Sequence, residues 1–360
     1  MSAKRRTLER YLVALERIGD QPGLVACLRR LAEVAEEEGA WADVLAYCAR
    51  ALVELPADAP RAYRAEGHLL VGRAATRLES YDVARNHLIE ASLTFRAEGR
   101  PAELALCFEL LAELSLRGRD GREVIAWAPY PAATDMPADE RAPFAEAARL
   151  FAESATTYLD AGMALSGLVA FAGAARCHFV AVEHEAARLC LMAALQLTEI
   201  IEDTPPAPQL ALVALLVAYG DRAAAETLLD PLLRSVPQLD TPSAVRVCEL
   251  VGCLALRDGS SVDSAKEALR HVQRAAGLSF EEHDHRSLVR LSLLHALLAV
   301  HLGRDDGVEA QLKRALAAAN GADATQQRGL SANVVKLVTA HPELLERRNL
   351  RAHLESYVNP

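Results

Sequence analysis

The chain has 360 residues, 51% of them apolar and 24% charged, and a formal net charge of −10. That apolar share excludes a disordered chain, and the length exceeds one ordinary core unless the chain is a repeat array or divides into domains. The acidic balance disfavours general nucleic-acid binding, which needs a basic face to neutralise phosphates.

The opening MSAKRR is basic, but no apolar segment of signal-peptide length follows it. The most apolar windows, Leu210 to Gly220 and Leu291 to Gly303, are too short to span a bilayer. A cytoplasmic protein is therefore expected. Ala and Leu dominate, aromatics are few, and runs rich in Val, Ile, Thr and Tyr are absent, so the elements should be helices. Lys occurs only at 4, 266, 313 and 336, and the heavy use of Arg reads as the codon bias of a GC-rich organism. Seven cysteines, at 27, 48, 107, 177, 190, 248 and 253, form no CxxC pair and sit in apolar helical patterns. They read as free thiols acting as small hydrophobes.

In chain order, an amphipathic helix over 4–18 comes first, with Leu8, Tyr11, Leu12 and Leu15 on one face. The stretch Glu37 to Pro56 then sets a pattern: Gly39, Trp41, Val44, Cys48, Ala51, Leu52 and Pro56. Gly220 starts the same offsets with Ala225, Leu229, Leu232, Leu233 and Pro237, and Gly303 with Val308, Leu312, Ala315 and Leu316. Tyr81, His184 and Ser261 anchor further copies through Ala84–Leu88–Ala91, Ala187–Leu191–Ala194 and Ala265–Leu269–Val272. The period is roughly 40 residues, in the range of helical repeats.

A helical segment precedes each anchored one, with a small residue near its middle: Ala32, Gly72, Gly252 and Ala296. Such a residue lets the second helix cross closely, and Gly, Asp or Ser between the two makes the turn and the cap. One hairpin exposes an apolar face that only another hairpin covers. The expected hairpins are 24–56, 62–98, 101–160, 163–202, 208–236, 242–277, 284–319 and 323–357, with DTPPAPQ (203–209) and VPQLDTP (236–242) as turns between hairpins. The third is irregular. Residues 118–138 read as an insertion, with Ile125, Trp127 and Tyr130 as anchors. Prolines at 129, 131, 137 and 143 are expected to break any helix there, and the next helix starts near Phe144. The insertion is expected to lie along the concave face; the bland alternative is that its aromatics simply pack it onto hairpins two and three.

Leu28, Leu31, Ala32, Gly39, Trp41, Ala51, Leu52 and Pro56, and again Ala296, Gly303, Val308, Leu312, Ala315 and Leu316, carry a resemblance to the tetratricopeptide repeat (TPR) family. It covers most of the chain, although the other copies are degenerate and longer than the family's usual unit, like those of bacterial regulatory and signalling proteins. It implies an all-α, right-handed superhelix (an α-solenoid) of about eight antiparallel hairpins, spanning 1–360 as a single TPR-like domain. A non-repetitive helical bundle is the alternative.

The resemblance also implies that the first helix of each hairpin lines a concave groove in which a partner peptide lies. Register then nominates Arg29, Arg30, Glu33, Arg73, Arg77, Glu109, Glu113, Arg117, Arg176, Arg290 and His301, with Arg246 or Arg257 in the sixth hairpin, as partner-binding residues. Arginine forks suit carboxylates, so an acidic partner segment is the sharper expectation. The blander reading is that these arginines pair with Glu33, Glu36, Glu66 or Glu109 on adjacent helices. The Lys and Asn of the family's carboxylate clamp do not fall on the groove positions.

Catalytic motifs are absent: no glycine-rich phosphate loop, GxSxG or HExxH occurs. EEHDH (281–285) has adjacent-residue spacing unsuited to a metal and reads as a charged helix start, while His178 and His184 read as structural. No cofactor, metal, nucleic acid or membrane is expected. The sequence thus points to a non-catalytic scaffold that binds a peptide or protein. A sensor module that binds a signalling peptide or small ligand and controls an effector in trans is the alternative.

Overall fold

The computed structural model of the protein describes residues 2–116, 138–256, 261–304 and 307–322. Arg117, Trp127, Tyr130, Arg257, nearly all of the proposed insertion and the hairpin expected at 323–357 lie outside them. Every regular element among the described residues is helical. The helices are α1 (Ala3–Ile18), α2 (Gln21–Glu37), α3 (Trp41–Glu54), α4 (Arg61–Arg77), α5 (Tyr81–Ala97), α6 (Pro101–Leu116), α7 (Ala138–Asp160), α8 (Ala164–Val180), α9 (His184–Ile200), α10 (Pro206–Tyr219), α11 (Arg222–Arg234), α12 (Thr241–Ala255), α13 (Val262–Glu281), α14 (His285–His301) and α15 (Val308–Gly321). Contacts divide them into two compact units, one holding α1 to α9 and the other α10 to α15, with the boundary at the DTPPAPQ joint.

The helices pair as the sequence pattern requires. The second members begin at Trp41, Tyr81, His184, Arg222, Val262 and Val308, at or just after the anchors of the repeat. The turn between first and second helix is a C-cap made of two backbone bonds. At Gly39 the chain adopts φ +69°, the Gly39 N–H bonds the Glu36 carbonyl at 2.9 Å, and the Ala40 N–H bonds the Ala35 carbonyl at 2.8 Å. This Schellman pair satisfies carbonyls that the helix end leaves open. The same pair closes α4 at Glu79 and Ser80, α8 at Val182 and Glu183, and α14 at Gly303 and Arg304. Glycine is thus the favoured residue for this turn and not an obligatory one, which is why a search for glycine alone loses copies.

One expectation fails in the third hairpin. Pro143 lies inside α7 and does not end a helix. It stands near the helix start, where it removes a single backbone bond, and the helix beyond it is held by buried Phe144, Phe151 and Tyr158. The Ser154 hydroxyl also donates to the Ala105 carbonyl of α6 at 2.8 Å.

Each core cluster of the first unit joins three consecutive helices. Ala32 and Ala35 of α2, Val44 and Cys48 of α3, and Val71 and Ala74 of α4 form one; Trp41 packs on its edge. Leu69, Leu88, Phe95 and Phe108 belong to the next, shared by α4, α5 and α6. A hairpin therefore completes its core with the first helix of the following hairpin, which couples neighbours along the array. The small residues sit where the crossings are tightest. A Cβ at Gly72 would lie 2.6 Å from Leu88 Cγ, and one at Gly252 would lie 2.7 Å from Val272 Cγ2 and 2.6 Å from Leu294 Cδ2.

All seven cysteines are free, and every one except half-buried Cys190 is buried. Burial pushes the Cys48 and Cys107 thiols up to about 12, so these sulfurs stay protonated and unreactive. None of the described helices is long and apolar enough to cross a membrane.

Two glycines separate close packing from helix propensity. Gly72→Val is expected to destabilise the fold by about 1–3 kcal/mol, because Leu88 is fully buried and has nowhere to move. Gly277→Ala, in α13 where an added Cβ meets nothing within 4 Å, is expected to stabilise by about 1 kcal/mol. Chemical denaturation of the two variants checks both signs.

Candidate functional site

First helices of successive hairpins meet directly, α4 with α6 and α12 with both α10 and α14. Their polar edges therefore adjoin within each unit: α4 carries Arg73 and Arg77 beside α6 with Glu109 and Glu113, and α12 carries Arg246 beside α14 with Arg290 and His301. In the first unit most of these side chains are engaged. The Arg29 Nη2 donates to Glu66 of α4 at 2.7 Å, and its guanidinium stacks 3.9 Å from the Tyr63 ring. The other Glu66 oxygen accepts from Arg100 Nη1 at 2.6 Å, and Arg100 also reaches Glu103. Arg73 bridges back to Glu36 of α2, Arg30 pairs with Glu33 on its own helix, and Arg77 lies over the Trp41 ring at 5.6 Å. Burial alone would raise the Glu66 carboxyl, but Arg100 and Arg29 outweigh it and hold the group below the usual carboxylate range.

The pairing reading of these arginines, made from sequence with Glu36 and Glu66 named, is the one the geometry bears out. Individually such half-exposed pairs add little stability. Together they fix Arg29, Arg73 and Arg100 in a ladder across α2, α4 and the start of α6.

Further along, Glu109 accepts a hydrogen bond from the Tyr158 hydroxyl at 2.8 Å. Burial first, and then the Glu109 charge, push that phenol well above its ordinary range. Glu113 is exposed one turn beyond. Arg176 of α8 is half-buried like Arg29 and Arg73, but its buried Nε has no hydrogen-bond partner among the described residues. Desolvating a guanidinium N–H without a partner is costly, and an arriving carboxylate would remove that cost. Between α4 and α5, the His68 and His87 Nδ1 atoms lie 2.8 Å apart. Burial, and for His68 the facing His87, hold both rings below the ordinary value, so the pair rests neutral with one ring donating to the other.

In the second unit the nominated Arg290 belongs to a buried triad. Glu249 of α12 is only 2% exposed. It accepts from Arg246 Nη1 of its own helix at 2.7 Å and from Arg290 Nε of α14 at 2.8 Å, and Arg290 Nη2 donates to Ser287 at 3.0 Å. Burial opposes the charge on Glu249, yet Arg290 and Arg246 keep the carboxyl below its usual range. Glu249 was not nominated from sequence; its signal was a single carboxylate three residues after Arg246 in the otherwise apolar VRVCELVGCLAL. His301 is exposed at the end of α14, without a role in this triad.

Between the second helices α11 and α13, over α12, lies a cavity of about 320 Å³. Leu229, Val251 and Leu254 form its walls, with Glu226, Asp230 and Glu267 among its polar lining. Arg222, paired with Glu226, and His271 share that lining. At EEHDH, Asp284 caps α14 by accepting from the Ser287 N–H at 3.1 Å, and His178 pairs with Glu183 at 2.6 Å across its turn. No group of three or more metal-ligating side chains occurs among the described residues.

No protein-family model matches the chain, and no curated protein sequence does. Among solved structures, the apo form of RapI superposes with a TM-score of 0.58 at 11% identity, covering 86% of this chain and 80% of its own. The apo quorum sensor NprR from B. thuringiensis gives a TM-score of 0.48 at 14% identity, over 87% and 82% of the two chains. At this identity the likeness to RapI is one of fold, and it agrees with an all-α array of helical hairpins.

Removing one member of the buried triad should cost far more than replacing all three. Glu249→Ala is expected to destabilise the second unit by about 3–5 kcal/mol by removing the buried carboxylate that two guanidiniums share. Arg246→Met/Glu249→Leu/Arg290→Met is expected to fall within about 1 kcal/mol of wild type or above it. Urea unfolding of the two variants measures the difference.

Proposed function

We propose that the chain is a non-catalytic, TPR-like scaffold of the cytoplasm that binds a partner peptide or protein on the first-helix face. The partner segment carries carboxylates. The observation behind this reading is the contrast on that face: most of its arginines are fixed by carboxylates, whereas half-buried Arg176 has a buried donor without a partner. A largely fixed array with the buried Arg176 Nε open suits recognition better than catalysis, and no nucleophile set beside a base is found near it among the described residues. The fold likeness to RapI supports the helical-repeat part of the reading.

Capture of partners from a lysate of the source organism, quantified by mass spectrometry, tests it. Arg176→Glu is expected to lower recovery of the captured partner about tenfold or more, the scale of a lost charge-assisted hydrogen bond. Arg30→Glu, whose residue is exposed and paired within its own helix, serves as the control. Equal recovery with wild type and Arg176→Glu would remove Arg176 from the site.

A further inference from the structure

The solvent face of α1 carries a cationic stripe that neither the fold nor the first-helix face accounts for. Arg6, Arg10, Val13 and Arg17 stand at spacings of four, three and four residues, so they share one line along the helix. The line runs about 16 Å. All four side chains are exposed, Val13 by 45%.

What makes the stripe unusual is how α1 sorts its charges. The carboxylates of this helix are both turned to α3. Glu9 accepts from the Tyr47 hydroxyl at 2.8 Å and lies 3.6 Å from Arg5, and Glu16 pairs with Arg50. Buried Arg5 faces the same way, paired with Asp43 at 2.6 Å and with Glu38 at 3.3 Å. The arginines of the packed side are therefore neutralised. Arg6, Arg10 and Arg17 make no ion pair or hydrogen bond through their side chains with any described residue, in a chain whose net charge is −10. In the same unit Arg29, Arg50, Arg73, Arg85 and Arg96 each have a carboxylate partner.

We propose that this face of α1 is a docking surface for an acidic polypeptide segment with carboxylates about one helical turn apart. The three guanidiniums supply paired donors for carboxylates, and Val13 with Ala14 leaves a low apolar floor between them. A membrane fits less well, because the stripe lacks the broad apolar face that an interfacial helix buries. Nucleic acid fits less well too: three cations on an acidic protein neutralise few phosphates. The surface lies on α1, apart from Arg176 on α8, and stands independently of the reading of that arginine.

Fluorescence anisotropy with the full chain and a fluorescein-labelled decaglutamate peptide tests the proposal. Binding at low ionic strength is expected, weakening as salt is added. Arg6→Glu/Arg10→Glu/Arg17→Glu is expected to bind about tenfold more weakly or worse, and Arg6→Gln/Arg10→Gln/Arg17→Gln to weaken binding in the same direction. The triple Lys variant is expected to stay within about threefold of wild type, and the loss caused by the triple Gln substitution to be the same in an Arg176→Glu background as in wild type, which separates this face from Arg176. Circular dichroism and the unfolding midpoint should match wild type for the Gln variant, since all three side chains are exposed. The proposal is overturned if wild type does not bind the peptide, if the folded Gln variant binds as well as wild type, or if phosphatidylserine vesicles or duplex DNA bind this face more tightly than the peptide.

Discussion

The close crossing of each first helix with its second helix is the constraint on which the rest of the structure depends. At Gly72 there is no room for a Cβ beside Leu88, and at Gly252 none beside Val272 and Leu294. Where alanine replaces glycine, as at Ala32 and Ala296, the methyl is itself fully enclosed. Small residues on the first helix and Leu or Ala on the second bring the two axes close. The first helices of neighbouring hairpins then come within reach of one another. Only at that spacing does Arg29 span to Glu66, Arg73 to Glu36 and Arg290 to Glu249.

Charge is arranged in layers by the same geometry. Packed sides are neutralised, as Arg5 is by Asp43 and Glu38, and Glu249 by Arg246 and Arg290. Such buried groups add little net stability over apolar ones, yet removing one partner is severe. Arg176 on the first-helix face and the Arg6–Arg10–Arg17 line on α1 are among the places where cations meet no described carboxylate, as also at Arg77 over the Trp41 ring. The proposed recognition of an acidic partner rests on these positions, whereas the ladder residues hold the surface that presents them.

Much of the fold was legible in the sequence because its signals are local. The Ala–Leu–Ala spacing at Ala84, Leu88 and Ala91 marks a second helix wherever it recurs, and those three residues are fully buried. Turn chemistry was less legible: Glu79, Val182 and His283 take the left-handed conformation that the sequence pattern assigned to glycine. Pro143 misled for a different reason, since a helix tolerates proline near its start when buried aromatics hold the remainder. In the candidate site, the glutamate partners of Arg29 and Arg73 were named in advance as the bland alternative. Which arginine stays open was not legible. It depends on what the adjacent helix presents opposite each position, and Arg73 finds Glu36 where Arg176 finds no partner. Glu249 was missed because a carboxylate in an apolar run looks exposed until two arginines from separate positions close over it.

Native-state amide hydrogen exchange tests the layered arrangement most directly. If the first helices form the inner layer, their central amides are the last to open. The expected result is slower exchange in α4 (near Gly72) and α12 (near Gly252) than in the middle of the second helices α5 and α13. Equal protection of the two sets, or greater protection of α5 and α13, would contradict it.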